Sequence, residues 1–126
     1  MYSVTIRDHA MIAHSLPHPA FGPAQQLHGA TYIADAEFSS PALNDHQIVI
    51  DIGLAHQLLS QALEPLRYQN LDTLPEFAGA LTTTEYLAAY VHRRLCSLLG
   101  GRFQGRLKVT LHESHVASAA YEAPAA

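Results

Sequence analysis

Apolar and polar residues alternate with a period of two between Val4 and His14. Val4, Ile6, Ala10 and Ile12 share one parity, and His14 closes the same face. This pattern predicts a strand with one side against a core. Pro17-His18-Pro19-Ala20-Phe21-Gly22-Pro23 reads as a loop, because proline removes a ladder donor and glycine bends the chain. A second strand is predicted over His28–Phe38, with His28, Ala30, Tyr32, Ala34, Ala36 and Phe38 on one side. Ser39 to His46 reads as a turn, and Gln47 to Ile52 as a short extended piece carrying Asp51. The period then changes. Leu54, Leu58, Leu59, Ala62, Leu63 and Leu66 recur at helical spacing, with Pro65 near the end. Tyr68 to Leu81 is irregular and contains Pro75 and Gly79. Thr82-Thr83-Thr84-Glu85 has the spacing of a capping box. Behind it Leu87, Val91, Leu95, Leu98 and Leu99 form a helical stripe that Gly100-Gly101 stops. Leu107, Val109 and Leu111 alternate again, and Glu113 completes their face. Ala117 to Tyr121 is predicted as a last strand, with a frayed tail from Glu122 to Ala126.

The order is therefore ββααββ. The α+β arrangement that suits it is an antiparallel four-stranded sheet with two helices on one face. Such a sheet leaves open edges, and pairing between subunits is one way to remove them. The length of 126 residues fits one domain spanning 1–126. An apolar share of 48% and a charged share of 14% describe a folded chain with little surface charge, as expected when surface is hidden in an oligomer. A formal charge of −4 leaves no basic footprint for nucleic acid. No apolar run approaches the ~20 residues of a membrane helix. The first residues lack the basic region and apolar core of a secretory signal. Cys96 is the only cysteine, so no intrachain disulfide forms. Together these features point to the cytoplasm and away from membranes.

Several short segments carry candidate chemistry: Ala13-His14-Ser15-Leu16, His28-Gly29 with Tyr32, Ile48-Val49-Ile50-Asp51, Asn70-Leu71-Asp72-Thr73-Leu74-Pro75-Glu76-Phe77, Thr83-Thr84-Glu85, and His112-Glu113-Ser114 followed by Tyr121. In this order and at these gaps they resemble the motifs of the 6-pyruvoyl tetrahydropterin synthase and 6-carboxytetrahydropterin synthase family. The resemblance spans most of the chain. It implies the tunnelling fold, in which the sheets of several subunits join into a barrel within a ring, and hence a ring-shaped homo-oligomer, a hexamer. It also implies a pterin or related purine-like ring as ligand, and Zn2+ as cofactor with His14 and His28 among its ligands.

The departures from the family pattern fall on the chemistry. The family's His-Gly-His-x-Tyr has Ala30 at the third zinc ligand. Its cysteine base, four residues before the first histidine of that motif, is Ala24. Its Asp-His pair is Arg67 and Tyr68. Two imidazoles hold zinc poorly unless another donor joins them. His9 is the nearest in sequence, but has the wrong strand parity without a bulge; His18 in the loop is the other candidate. His112 has the opposite parity to Glu113 and is expected to face away from it. Glu113 suits an anchor at the bottom of a pocket, because a carboxylate accepts two parallel ring N–H donors at once. Thr83 and Glu85 cap a helix and also lie where free backbone N–H groups receive a ligand oxygen. Tyr68 is a weak candidate catalytic group, since a phenol of ordinary pKa about 10 is a poor base. Cys96, in mid-helix, reads as a buried filler. Three functional readings follow: a metal-assisted carbon–oxygen lyase acting on a pterin-like substrate, a non-catalytic pterin-binding or assembly protein, and a metal-dependent hydrolase of another ring.

Overall fold

Both alternating N-terminal segments become strands, each longer than the alternation alone predicts. The computed structural model describes residues 1–126. Strand β1 runs Tyr2–His14 and β2 runs His28–Ser40, paired antiparallel along their full length so that His14 lies opposite His28. Helix α1 spans Ile52–Leu63, a two-residue strand β3 covers Gln69–Asn70, and helix α2 spans Thr84–Leu99. Strands β4, Arg106–Ser114, and β5, Ala117–Pro124, form the C-terminal hairpin. The sheet order is β3-β1-β2-β4-β5. It thus has a fifth strand beyond the expected four, because Gln69–Asn70 lies parallel to Ile12–Ala13 at the β1 edge.

Helices α1 and α2 cover one face of the sheet. Ile6, Ala10 and Ile12 of β1, Tyr32, Ala34, Ala36 and Phe38 of β2, and Leu107, Val109 and Leu111 of β4 are all buried there. The small Ala10, Ala34 and Ala36 let the helices come close, while Leu58, Leu59, Leu63, Leu87, Val91 and Leu95 fill the layer. His92 is buried in the same layer, and its Nε2–H donates to the Leu107 carbonyl at 3.0 Å, tying α2 to the hairpin. Cys96 lies 3.5 Å from His92 Nδ1, and burial pushes its thiol pKa up, so it is a protonated filler.

Three sequence expectations need correction. Gln47 to Ile52 is not an extended piece: Asn44 Oδ1 accepts from the backbone N–H groups of His46 and Ile48 and holds a turn there. Asp51 then caps α1 by accepting from Gly53 N at 2.9 Å. The cap of α2 is Thr83, not Thr82: the Thr83 hydroxyl accepts from Tyr86 N at 3.2 Å. The tail is not frayed from Glu122 onward, since β5 continues to Pro124 and the Ala125 N–H donates to the Gly105 carbonyl at 2.8 Å. The loop after β1 contains short 3-10 turns over Pro19–Gln25.

Candidate functional site

At the end of the sheet where β1 meets β2, the register sets two histidines side by side. The His14 and His28 rings meet edge to face, with centroids 4.6 Å apart. Each has one nitrogen held by the protein. His14 Nδ1 is 3.0 Å from the Thr82 hydroxyl, and His28 Nδ1 donates to the Gln26 carbonyl at 2.8 Å. A carbonyl only accepts, so His28 Nδ1 carries a proton and Nε2 is the nitrogen left for a ligand. His14 is 3% exposed, yet no buried side-chain nitrogen or oxygen lacks a partner, so its unpaired Nε2 opens onto the adjacent cavity. Burial pushes the His14 pKa down, and the neighbouring His28 adds to this; the imidazole is neutral at pH 7.

That cavity has a volume of about 270 Å³ and is lined by His14, His28, Thr83, Glu85 and Glu113 together with Leu16, Phe21, Ala24, Tyr32 and Thr84. Residues far apart in sequence meet because three structures end at one place: the β1–β2 pair, the N-terminus of α2, and the end of β4. Thr83 and Glu85 enter through the first turn of α2, where Thr84 also contributes its hydroxyl, 3.3 Å from the Tyr32 phenol. Burial pushes the Tyr32 pKa up, and the carboxylates of Glu113 and Glu85 push it further, so the phenol is a hydrogen-bond donor and not a base at neutral pH. Glu113 continues the face of Leu107, Val109 and Leu111, where the β4–β5 register shifts between His112 and Ser114. Its side chain is exposed, so within one chain it stands at the rim of the cavity and not at the bottom.

The other candidates lie elsewhere. Tyr68 is 81% exposed, with φ +57°, beside Met11 and Gln69 at the β3 edge, outside this cavity. His9 is exposed on the opposite parity of β1, and the His18 Nδ1 accepts from Ala20 N at 3.0 Å as a turn cap. His112 points to the helix-free face, where its Nε2–H donates to Asp35 at 2.9 Å. Arg67 donates to Asp8 at 2.8 Å and also to Ser60 and Glu64, a structural clamp between β1 and the end of α1. Sequence reasoning passed over Thr82, which it counted as part of a cap, and Thr84, whose hydroxyl gives no signal at all. Tyr32 was marked by sharing the parity of His28.

The family model for 6-pyruvoyl tetrahydropterin synthase matches residues 3–124. The chain belongs to the 6-pyruvoyl tetrahydropterin synthase family. Members of this family are lyases that bind pterin substrates, form homo-oligomers and typically use Zn2+. Among solved structures, the chain is similar to the 6-pyruvoyl tetrahydropterin synthase of Caenorhabditis elegans at 23% identity, with a TM-score of 0.82, covering 98% of this chain and 97% of that one. The Plasmodium vivax enzyme shows 15% identity and a TM-score of 0.82, covering 98% of both chains. An uncharacterized protein from Wolinella succinogenes shows 13% identity and a TM-score of 0.72, covering 95% of this chain and 97% of that one. These likenesses establish the tunnelling fold. No curated protein sequence matches the chain.

A catalytic zinc takes three protein ligands and leaves one position open. His14 and His28 have the right form for two of these, with Nδ1 held and Nε2 unpaired. Ala30, two residues beyond His28 on the same side of β2, supplies no donor, and no group of three His, Cys, Asp or Glu side chains is arranged to hold a metal ion. The residues present do not fit a three-ligand zinc centre.

Proposed function

We propose that this protein, folded as one domain over residues 1–126, binds a pterin or a related purine-like ring in the cavity between His14, His28 and Glu113. The observation that carries this reading is the convergence of five side chains from four separate segments on one cavity of about 270 Å³. Glu113 offers two acceptor oxygens to paired ring N–H groups. The unpaired Nε2 atoms of His14 and His28 accept from hydroxyls on the ring's side chain, and the backbone N–H groups at the start of α2 receive a ligand oxygen. Apolar Leu16 and Phe21 cover the ring faces and exclude water. Family membership supports a carbon–oxygen lyase as the reaction class, and the neutral His14 imidazole is the group in the cavity able to take a proton from a side-chain hydroxyl. A ring-shaped homo-oligomer, a hexamer in the cytoplasm, is the assembly this reading carries.

A second reading has its own support. Ala24 lines the cavity at the family's cysteine position, and Tyr68 lies outside it, so neither the family's cysteine nor Tyr68 stands in the cavity. A non-catalytic pterin-binding or assembly protein fits those two facts. One set of measurements separates the readings. Fluorescence titration of the purified protein with reduced and oxidised pterins is expected to give saturable binding that Glu113→Gln abolishes. Unchanged affinity in that variant sinks the anchor assignment. Turnover of a dihydropterin that ceases in His14→Ala supports the lyase; binding without turnover supports the binder.

A further inference from the structure

We infer that His18 is a pH-sensitive latch on the loop that carries Phe21 over the cavity, holding the loop when neutral and releasing it when protonated. The inference stands on the geometry of the loop between β1 and β2 and does not need the ring-binding reading. Few backbone bonds fix that loop. The Leu16 N–H donates to the Ala24 carbonyl at 3.0 Å, the Phe21 N–H to the His18 carbonyl at 3.0 Å, and the Gln26 N–H to the Pro23 carbonyl at 3.2 Å. Pro17, Pro19 and Pro23 have no N–H to give. No residue of Pro19–Gln25 is buried, so packing holds the turn weakly. The turn begins instead on a side chain: the Ala20 N–H donates to His18 Nδ1 at 3.0 Å. The same imidazole meets the Phe21 ring edge to face, with centroids 6.1 Å apart. Phe21 and Ala24, further along the turn, line the cavity.

A backbone N–H only donates, so His18 Nδ1 presents its lone pair and the ring proton sits on Nε2. Protonation of the imidazole fills that lone pair. Two N–H groups then face each other, and the cap is lost. Histidine is the side chain whose charge ordinarily changes between pH about 5 and 8. No carboxylate offsets the change: His9 and His112 lie beside Asp8 and Asp35, whereas His18 makes no ion pair. The titratable groups around the loop are His14 on β1, Asp72 beside Ser15, His28 on β2, Glu85 on α2 and Glu113 on β4. Asp72 is bonded to Ser15 and the other four line the cavity, and none bonds to the His18 ring. An imidazolium at this exposed position turns to water to satisfy its new N–H, which takes it off Phe21. The cover over the cavity is therefore fixed toward neutral pH and loosened in acid.

The test is hydrogen–deuterium exchange of segment 17–27 in the intact protein, read at pH about 7.5 and about 5.5 and corrected for the intrinsic pH dependence of amide exchange. Wild-type protection is expected to fall about three- to tenfold toward acid, the worth of one such hydrogen bond. In His18→Asn the amide oxygen accepts the same Ala20 N–H and does not titrate, so protection should be equal at the two pH values. His18→Ala has no acceptor and should be poorly protected at both. Wild-type protection that does not change with pH, or a His18→Asn protein that loses protection as the wild type does, overturns the inference. Neopterin titrated by fluorescence into the same proteins reads the effect on the cavity. The wild type should lose more affinity toward acid than His18→Asn, by a similar factor, and equal losses overturn control of the cavity by the loop. If neopterin binds at neither pH, the ring-binding reading fails and exchange alone decides the latch.

Discussion

Thr82 shows how one hydroxyl is assigned by its surroundings. The run Thr82-Thr83-Thr84 offers three similar caps, and the helix takes Thr83 while Thr82 turns to His14. Replacing Thr82 with valine keeps the shape but leaves Nδ1 of a buried imidazole without a partner. This is expected to destabilise the fold by ~1–3 kcal/mol, read from urea denaturation midpoints. The same change frees the His14 ring to rotate and should weaken ligand binding. Ala30 is the second decisive residue. Ala30→His adds an imidazole two positions from His28, on the side of the strand that faces the cavity. Wild-type protein passed through a chelator and then exposed to zinc is expected to retain it substoichiometrically after desalting, and Ala30→His to retain about one zinc per chain by elemental analysis. Equal retention by the two proteins would show that a donor other than residue 30 completes the set.

At the level of elements, helix α2 is the piece that links stability to the site. Its N-cap faces the cavity and its body fills the core. Thr83→Ala removes the cap and is expected to lower stability by ~1 kcal/mol in thermal or urea denaturation. Strand β4 begins under a tighter constraint. A Cβ at Gly105 would collide with the Ser39 carbonyl oxygen and lie 2.6 Å from the Phe103 ring. Gly105→Ala must therefore push β4 away from β2 and should cost about 1–3 kcal/mol or more, seen as a lowered denaturation midpoint. On the helix-free face, three strands are stitched together at Asp35. It accepts from Arg7 at 2.7 and 2.9 Å and from His112 at 2.9 Å. The Arg7 guanidinium holds the Asp35 carboxyl below its ordinary pKa, and His112 assists. A depressed folded-state pKa means that the unfolded chain binds the proton more readily. The stabilisation is therefore full above the ordinary aspartate value of about 3.9 and is lost as pH falls from there through the lower folded-state value. Denaturation between neutral pH and pH about 3 should show wild type losing more stability than Asp35→Asn over that acid window; parallel curves would show that the cluster contributes nothing.

For the whole molecule, the sheet edges set the problem. β5 lies at one edge and the two-residue β3 at the other, and β5 exposes most of its side chains. Unpaired strand edges favour association with further copies. Light scattering on a sizing column is expected to give a mass several times the 13.7 kDa of one chain. A value of 13.7 kDa itself would leave the edges to be explained without self-association. Much of this architecture was legible in the chain. The alternation through Val4–His14 and His28–Phe38 and the leucine stripes marked two strands and two helices, since each period follows from local backbone geometry. The β3 strand was not legible, because two residues carry no period. The Gln47–Ile52 turn was misread because Ile48, Val49 and Ile50 favour strands, while a side-chain bond from Asn44 decided otherwise.

Sequence by itself determined the long strands and the two helices, the family and the identity of the residues at its motif positions, including the alanines at 24 and 30. Those properties are local, or are carried by residue type and spacing alone. Only the tertiary structure decided that His14, His28, Thr83, Glu85 and Glu113 share one cavity and that Tyr68 does not. The physical reason is that proximity between distant segments is fixed by strand register and by the docking of α2 on the sheet. The partner each polar atom finds there, Thr82 for His14 and Asp35 for His112, depends on which groups that docking brings within hydrogen-bond reach.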